Sequence, residues 1–295
     1  MDTQSLKAFV TVADLNSFSH AAEKLHLTQP AITKRIQSLE SHLDTRLFDR
    51  LGRRLFLTEA GQCLLPNARR ILQLMESSRQ ALDDLAGPVR GKLKLVTSHH
   101  IGLHRLPIVL KDFKKQYPQV SVSITYMNSR ETHEAILAGE ADLGVTTREI
   151  IPDDSLTLHE IWHDRLLFVT AREHPLASKH AIGLEELCNY PALLPDERFF
   201  TGRIVREFFR EAGLGLKLEE GLSTDYMETL RVLVAIGGTW TVLPHTMVNS
   251  PELGVLGLKE NPLTRSLICM HHRDLTLNSA SRAFLEILQQ HRDLQ

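Results

Sequence analysis

Three cysteines serve 295 residues, and Cys63, Cys188 and Cys269 show no C-x-x-C spacing. That excludes a disulfide framework or a thiol-rich zinc module and implies reduced thiols in a cytoplasmic setting. No stretch approaches the ~20 apolar residues of a membrane span, and the first residues lack the pattern of a secretory leader. There is no G-x-S-x-G elbow, no G-x-G-x-x-G and no P-loop. An enzyme reading therefore has no motif behind it, and it would leave the first sixty residues unexplained. No His-Glu-x-x-His run occurs, and His99, His100 and His104 lack further ligands for a zinc ion. Neither a metal nor a cofactor is expected. Excess positive charge is also missing, since the net charge is −2, which at first argues against a nucleic-acid partner.

What is present reverses that argument locally. Residues 29–58 hold six basic side chains against three acidic ones, a local +3, and phosphate affinity follows the local patch. Leu6, Phe9, Val10 and Ala13 form an apolar stripe on a first helix. Ser19 can cap a short second helix that packs Ala21, Ala22 and Leu25. Only His26 and Leu27 then separate it from Thr28, placed to cap a third helix with Pro30 in its first turn. Ile32, Ile36, Leu39 and Leu43 bury one face of that helix. The other face offers Gln29, Thr33, Lys34, Gln37 and Ser38, flanked by Arg35, with no acid among them. These donors suit base edges and phosphates, as in the second helix of a helix-turn-helix. Segments 46–50 and 54–58 read as two short strands around Gly52, with Arg53 and Arg54 on a basic wing.

Four motifs in order carry a resemblance: Ser17-Phe18-Ser19-His20-Ala21-Ala22, then Gln29-Pro30-Ala31-Ile32-Thr33, then Arg46-Leu47-Phe48-Asp49-Arg50, then Leu57-Thr58-Glu59-Ala60-Gly61. Together they resemble the amino-terminal domain of LysR-type transcriptional regulators. The remainder is similar to the family in length and layout. The resemblance implies an amino-terminal winged helix-turn-helix over 1–58, a linker and dimerisation helix over 59–88, and an α/β effector domain over 89–295. That last domain would be periplasmic-binding-protein-like, with subdomain I spanning 89–162 and 268–295 and subdomain II spanning 163–267.

Residues 59–86 read as one helix. Leu64, Ile71, Ser78 and Leu85 fall on a seven-residue repeat, with Ala68, Met75 and Leu82 interleaved, which is a seam suited to a partner helix. Packing of that seam onto its own domain is the alternative. Pro66 should bend the helix, and Gly87-Pro88 should end it. Beyond it, strands are expected over 92–97, 120–126, 141–147, 156–162, 165–170, 192–194, 217–222, 239–243 and 266–271. Helices fall between, over 106–117, 131–138, 202–212 and 226–236, and a closing helix covers 279–291. This βα alternation implies parallel sheets.

Ligands of open α/β sheets sit at the carboxyl ends of strands, near helix amino termini. Ser98, His99, His100, Ser129, Thr146, Thr147, Phe200, Thr201 and Thr224 satisfy that rule and are the candidate effector residues. Each hydroxyl taken alone could be an ordinary helix cap. Hydroxyls and backbone N–H groups with no nearby fixed lysine suit a compact anion held by hydrogen bonds more than by a countercharge. The Phe200-Thr201-Gly202-Arg203 run is similar to one in family members that sense small oxyanions or carboxylates. The resemblance further implies a homodimer, pairing of dimers into tetramers on double-stranded promoter DNA, and contact with RNA polymerase. An architectural DNA-binding protein without an effector is the competing binding-class reading.

Overall fold

The computed structural model describes residues 2–51, 54–84, 88–149 and 153–293. The amino-terminal head holds α1 (Thr3–Leu15), α2 (Phe18–Lys24), α3 (Gln29–Leu43), and a two-stranded wing of β1 (Phe48–Leu51) and β2 (Arg54–Leu57). The cap of α2 is Ser17, whose side chain accepts from the His20 N–H, and not Ser19 as expected. The extended backbone of Ser17 allows the cap, whereas Ser19 is already inside the helix. Thr28 holds the extended conformation of a cap, but its hydroxyl makes no cap bond. The tight turn before it runs through His26 in the left-handed region at φ 54°. Phe9, Val12, Ala21, Ile32, Ile36 and Leu39 fill the core. Glu40 of α3 accepts from the Leu47 N–H at 2.8 Å, so the recognition helix itself fixes where the wing begins.

Next, α4 (Glu59–Asp84) continues past Pro66 without ending. Its Ala68 is fully buried in the head core, with Leu64 and Ile71 half-buried against it. Arg69 reaches Asp14 of α1 at 2.5 Å and also pairs with Glu140, beyond the head. Arg70 pairs with Asp274 at 2.5 Å.

The carboxyl-terminal region is built from β3 (Gly91–Thr97), α5 (His99–His104), α6 (Leu106–Gln116), β4 (Val120–Tyr126), α7 (Ser129–Leu137), β5 (Leu143–Thr147) and β6 (Leu156–Ala171). There follow α8 (Leu184–Leu187), α9 (Phe200–Glu211), α10 (Met227–Ala235), β7 (Trp240–Pro244), β8 (Leu253–Val255), β9 (Thr264–His272) and α11 (Ser279–Gln290). The sheet order is β4-β3-β5-β9-β6-β7, with β8 also on β6. Pairing of β3 with β4 and β5 is parallel, as expected. The strands that join the lobes, β6 and β9, are antiparallel to each other and to β5 and β7.

Three expectations are corrected. The two strands expected over 156–162 and 165–170 are one strand, β6, whose first part pairs β9 and whose last part pairs β7. The polar His163-Asp164-Arg165 run does not break it, because the Asp164 carboxylate is paired where it is buried. The strand expected at 192–194 is reduced to bridges from Ala192 to Leu218 and to Trp240. Pro191 and Pro195 flank it and donate no ladder hydrogen bonds. The segment 217–222 likewise pairs only around Leu218.

One lobe packs around Leu93, Val109, Phe113, Leu143 and Phe284, the other around Phe168, Val205, Phe209 and Trp240. Among the described residues, no helix is long and apolar enough to cross a membrane.

Candidate functional site

Two surfaces carry the sequence-expected residues. On α3, Gln29, Pro30, Lys34, Gln37 and Ser38 are exposed and Thr33 and Arg35 are half-exposed, while Ile32, Ile36 and Leu39 face inward. One side of the helix is therefore open to a major groove, which is wide enough to admit it. Arg35 donates to Gln4 Oε1 at 3.2 Å, tying this face to α1. Arg53 and the side chain of Arg54 lie outside the described residues.

The expected seam on α4 divides. Ala68 is buried in the head core of its own chain, as the alternative of packing on the same domain would place it, while Leu64 and Ile71 pack against that core only partly buried. Beyond the head, the helix leaves Leu74 38% and Met75 50% exposed. The Leu82 side chain and Leu85 lie outside what the structure describes.

A cleft of about 270 Å³ opens between the two lobes. The amino-terminal ends of α5, α7, α9 and α10 converge on it through Ser98–His100, Asn128–Ser129, Phe199–Thr201 and Tyr226–Met227. Of the expected residues, Ser98, His99, His100, Ser129, Thr147, Phe200 and Thr201 line it. Thr146 does not: it is fully buried and donates to Ser129 Oγ at 2.9 Å. Successive strand residues point to opposite faces, so Thr147 and Thr146 cannot both front the cleft. Thr224 lies off the cleft too. The expected helix opens later, at Met227, and the Thr224 hydroxyl accepts from the Tyr226 N–H inside the preceding turn. Gly202 is required by close approach, since a Cβ there would collide with the carbonyls of Pro195 and Asp196.

The principal group that sequence reading missed is Arg265, at the start of β9 and 4% exposed. Its guanidinium fronts the cleft. Nε and Nη2 donate to Asp164 Oδ2 at 3.3 and 3.0 Å, Nη2 also meets His100 Nε2 at 2.6 Å, and Nη1 reaches Thr201 Oγ1 at 3.5 Å. Asp164, 1% exposed, takes a second arginine, Arg105, at 2.6 Å. The expectation of a site without a fixed countercharge is thus corrected: a buried cation stands at the cleft wall. Asp164 offsets part of the cost of burying it. Arginine only donates, so His100 Nε2 must accept. His100 is then a neutral imidazole whose Nδ1–H donates to Ser98 Oγ, 3.2 Å away. Burial first, and Arg265 second, hold its pKa well below the usual histidine value. The Ser98 proton is left to donate elsewhere.

The histidines diverge. His99 places its ring between Tyr126, tilted against it at 5.1 Å, and Tyr226, edge-on at 6.3 Å. His104 crosses the lobes to Glu228 at 2.5 Å. Burial pushes the Cys269 thiol up to about 12, which disfavours the reactive thiolate. Arg265 left one trace in sequence: an arginine two residues before an apolar strand run, Leu267 to Met270.

Comparison with known proteins agrees with this layout. A profile described as the LysR substrate binding domain matches residues 86–293, and one described as a bacterial regulatory helix-turn-helix protein of the lysR family matches residues 3–62. The HTH-type transcriptional activator CmpR of a Synechocystis species is 28% identical over 97% of this chain and 94% of its own. A full-length CbnR complexed with its target DNA superposes with a TM-score of 0.68 at 23% identity, covering 99% of this chain and all of that one. The regulatory domain of Synechocystis CcmR, in complex with 2-PG, covers 68% of this chain and 97% of that one, with a TM-score of 0.61 at 22% identity. With both profiles matched in order across almost its whole length, the chain belongs to the LysR family of DNA-binding transcriptional regulators.

Proposed function

We propose that the cleft takes a small anionic metabolite and that its occupancy sets how the protein acts on promoter DNA. The observation that carries this reading is Arg265, a guanidinium buried against the cleft with a neutral histidine and two hydroxyls around it. The CcmR regulatory domain, similar in fold, was solved in complex with 2-PG. No motif calls for turnover, so binding and release are the whole chemistry. Here α3 reads base edges, with Gln29, Pro30, Thr33, Lys34, Arg35, Gln37 and Ser38 at the duplex and Arg53 and Arg54 on its backbone. The exposed part of α4, with Met75, Leu82 and Leu85, pairs two chains, and pairs of dimers form the tetramer. RNA polymerase is the downstream partner, and the cytoplasm is the site of action. The domain limits follow the sequence expectation, with a head to 58, a linker helix to 88 and effector lobes beyond.

A thermal-shift screen of the purified full chain tests the cleft. Carboxylates or oxyanions are expected to raise the melting temperature, and Thr201→Val is expected to blunt the shift, because it removes the hydroxyl that faces Arg265 Nη1. Shifts from sugars or amines alone, with every anion inert, would overturn the reading. For the head, Thr33→Ala is expected to cost about 1–3 kcal/mol on the operator and much less on random DNA. Gel-shift titrations on both DNAs check this, and equal losses would remove Thr33 from base reading.

A further inference from the structure

Resting on that reading, we infer that the cleft selects a singly charged carboxylate bearing a flat ring and rejects doubly charged phosphate groups. The first argument is charge. A guanidinium grips an anion best through two parallel N–H bonds, but Nε and Nη2 of Arg265 are already committed to Asp164 and His100. Only Nη1 is left to turn to a ligand, and its contact with Thr201 is long. Asp164 is shared with Arg105, so the two guanidiniums and one carboxylate of this triad present a single net positive charge. The other ionisable side chains of fixed charge on the cleft wall are Glu131 and Asp225, both acidic. A first negative charge on the ligand finds the Arg265 guanidinium here; for a second, the remaining charged side chains on the wall are both carboxylates.

The second argument is shape. Tyr126 on one lobe and Tyr226 on the other stand 49% and 64% exposed, with the His99 ring between them. Exposed aromatics at a cleft mouth gain burial and ring-to-ring contact when a flat ligand enters. The cleft volume of about 270 Å³ lies just under the ~300 Å³ lower end for drug-sized ligands, so it suits one ring and one carboxylate.

Calorimetry on the full-length protein separates the outcomes. It is run at about pH 7.5, where a phosphate ester with a second pKa of about 6 is doubly charged. The probes are benzoate, phenylacetate, acetate and phenyl phosphate. At least one of the two ring carboxylates is expected to bind roughly tenfold or more tighter than both acetate and phenyl phosphate. Tyr126→Ala with Tyr226→Ala is expected to erase the advantage over acetate while leaving acetate binding itself unchanged. Phenyl phosphate binding as tightly as the ring carboxylates, or acetate matching them, overturns the selectivity while leaving the anion reading intact. Binding of all anions that survives Arg265→Gln overturns the anion reading itself, and silence from every probe overturns both.

Discussion

Arg265→Gln is expected to abolish the response to any anionic effector while leaving operator binding by the head in place. The side chain is buried with Asp164 on one side and the cleft on the other. Glutamine keeps a donor but not the charge. Breaking a buried ion pair by removing one partner costs about 3–5 kcal/mol, softened here because Arg105 still holds Asp164. Thermal denaturation should register that loss. Near-native circular dichroism is expected in Arg265→Gln, because Arg105 still balances Asp164, and it separates a missing ligand contact from a damaged fold. Effector titration followed by the same thermal shift reads the result. An undiminished response in the single variant would move the binding site elsewhere.

Leu74→Asp combined with Met75→Asp is expected to yield a monomer with a weakened hold on DNA. Both side chains are exposed on the single chain, beyond the stretch of α4 that the head core absorbs. A carboxylate forced into an apolar seam must be desolvated or break the seam. Substituting Ala68 or Ile71 would be a poorer test, because both pack within the head. Losing bivalent attachment should reduce operator affinity by about 10²–10⁴, with near-native circular dichroism. Sedimentation reads the association state, and an intact dimer would assign pairing to another surface.

The head was legible because its signals are local. Helical spacing at Ile32, Ile36 and Leu39 and the two-residue link at His26-Leu27 need no distant partner to be interpreted, and the wing follows directly in sequence. The errors there concern which of two serines caps α2 and which residues of α4 the head claims. Helical periodicity identifies a buried face but does not name its partner, so Ala68 read as a dimer position. In the effector region the alternation of strands and helices was legible, and with it most of the cleft hydroxyls. Arg265 was not. Its meaning comes from Asp164, 101 residues away, and His100, 165 residues away, brought together only when β6 and β9 cross between the lobes. Thr146 and Thr224 failed for a smaller reason, since a shift of one or two residues in a strand or turn re-aims a side chain completely.

Arg69 has a consequence of its own. One guanidinium is shared between Asp14 of α1 and Glu140 in the loop between α7 and β5, and neighbouring Arg70 holds Asp274 after β9. Ion pairs thus bridge the linker helix to the effector lobe, whereas each body is held by apolar packing. These partly exposed pairs weaken as salt shortens the Debye length, about 8 Å at physiological ionic strength, and the cores do not. Coupling of effector occupancy to operator binding is therefore expected to weaken as ionic strength rises, which effector-dependent operator titrations at low and high salt would read.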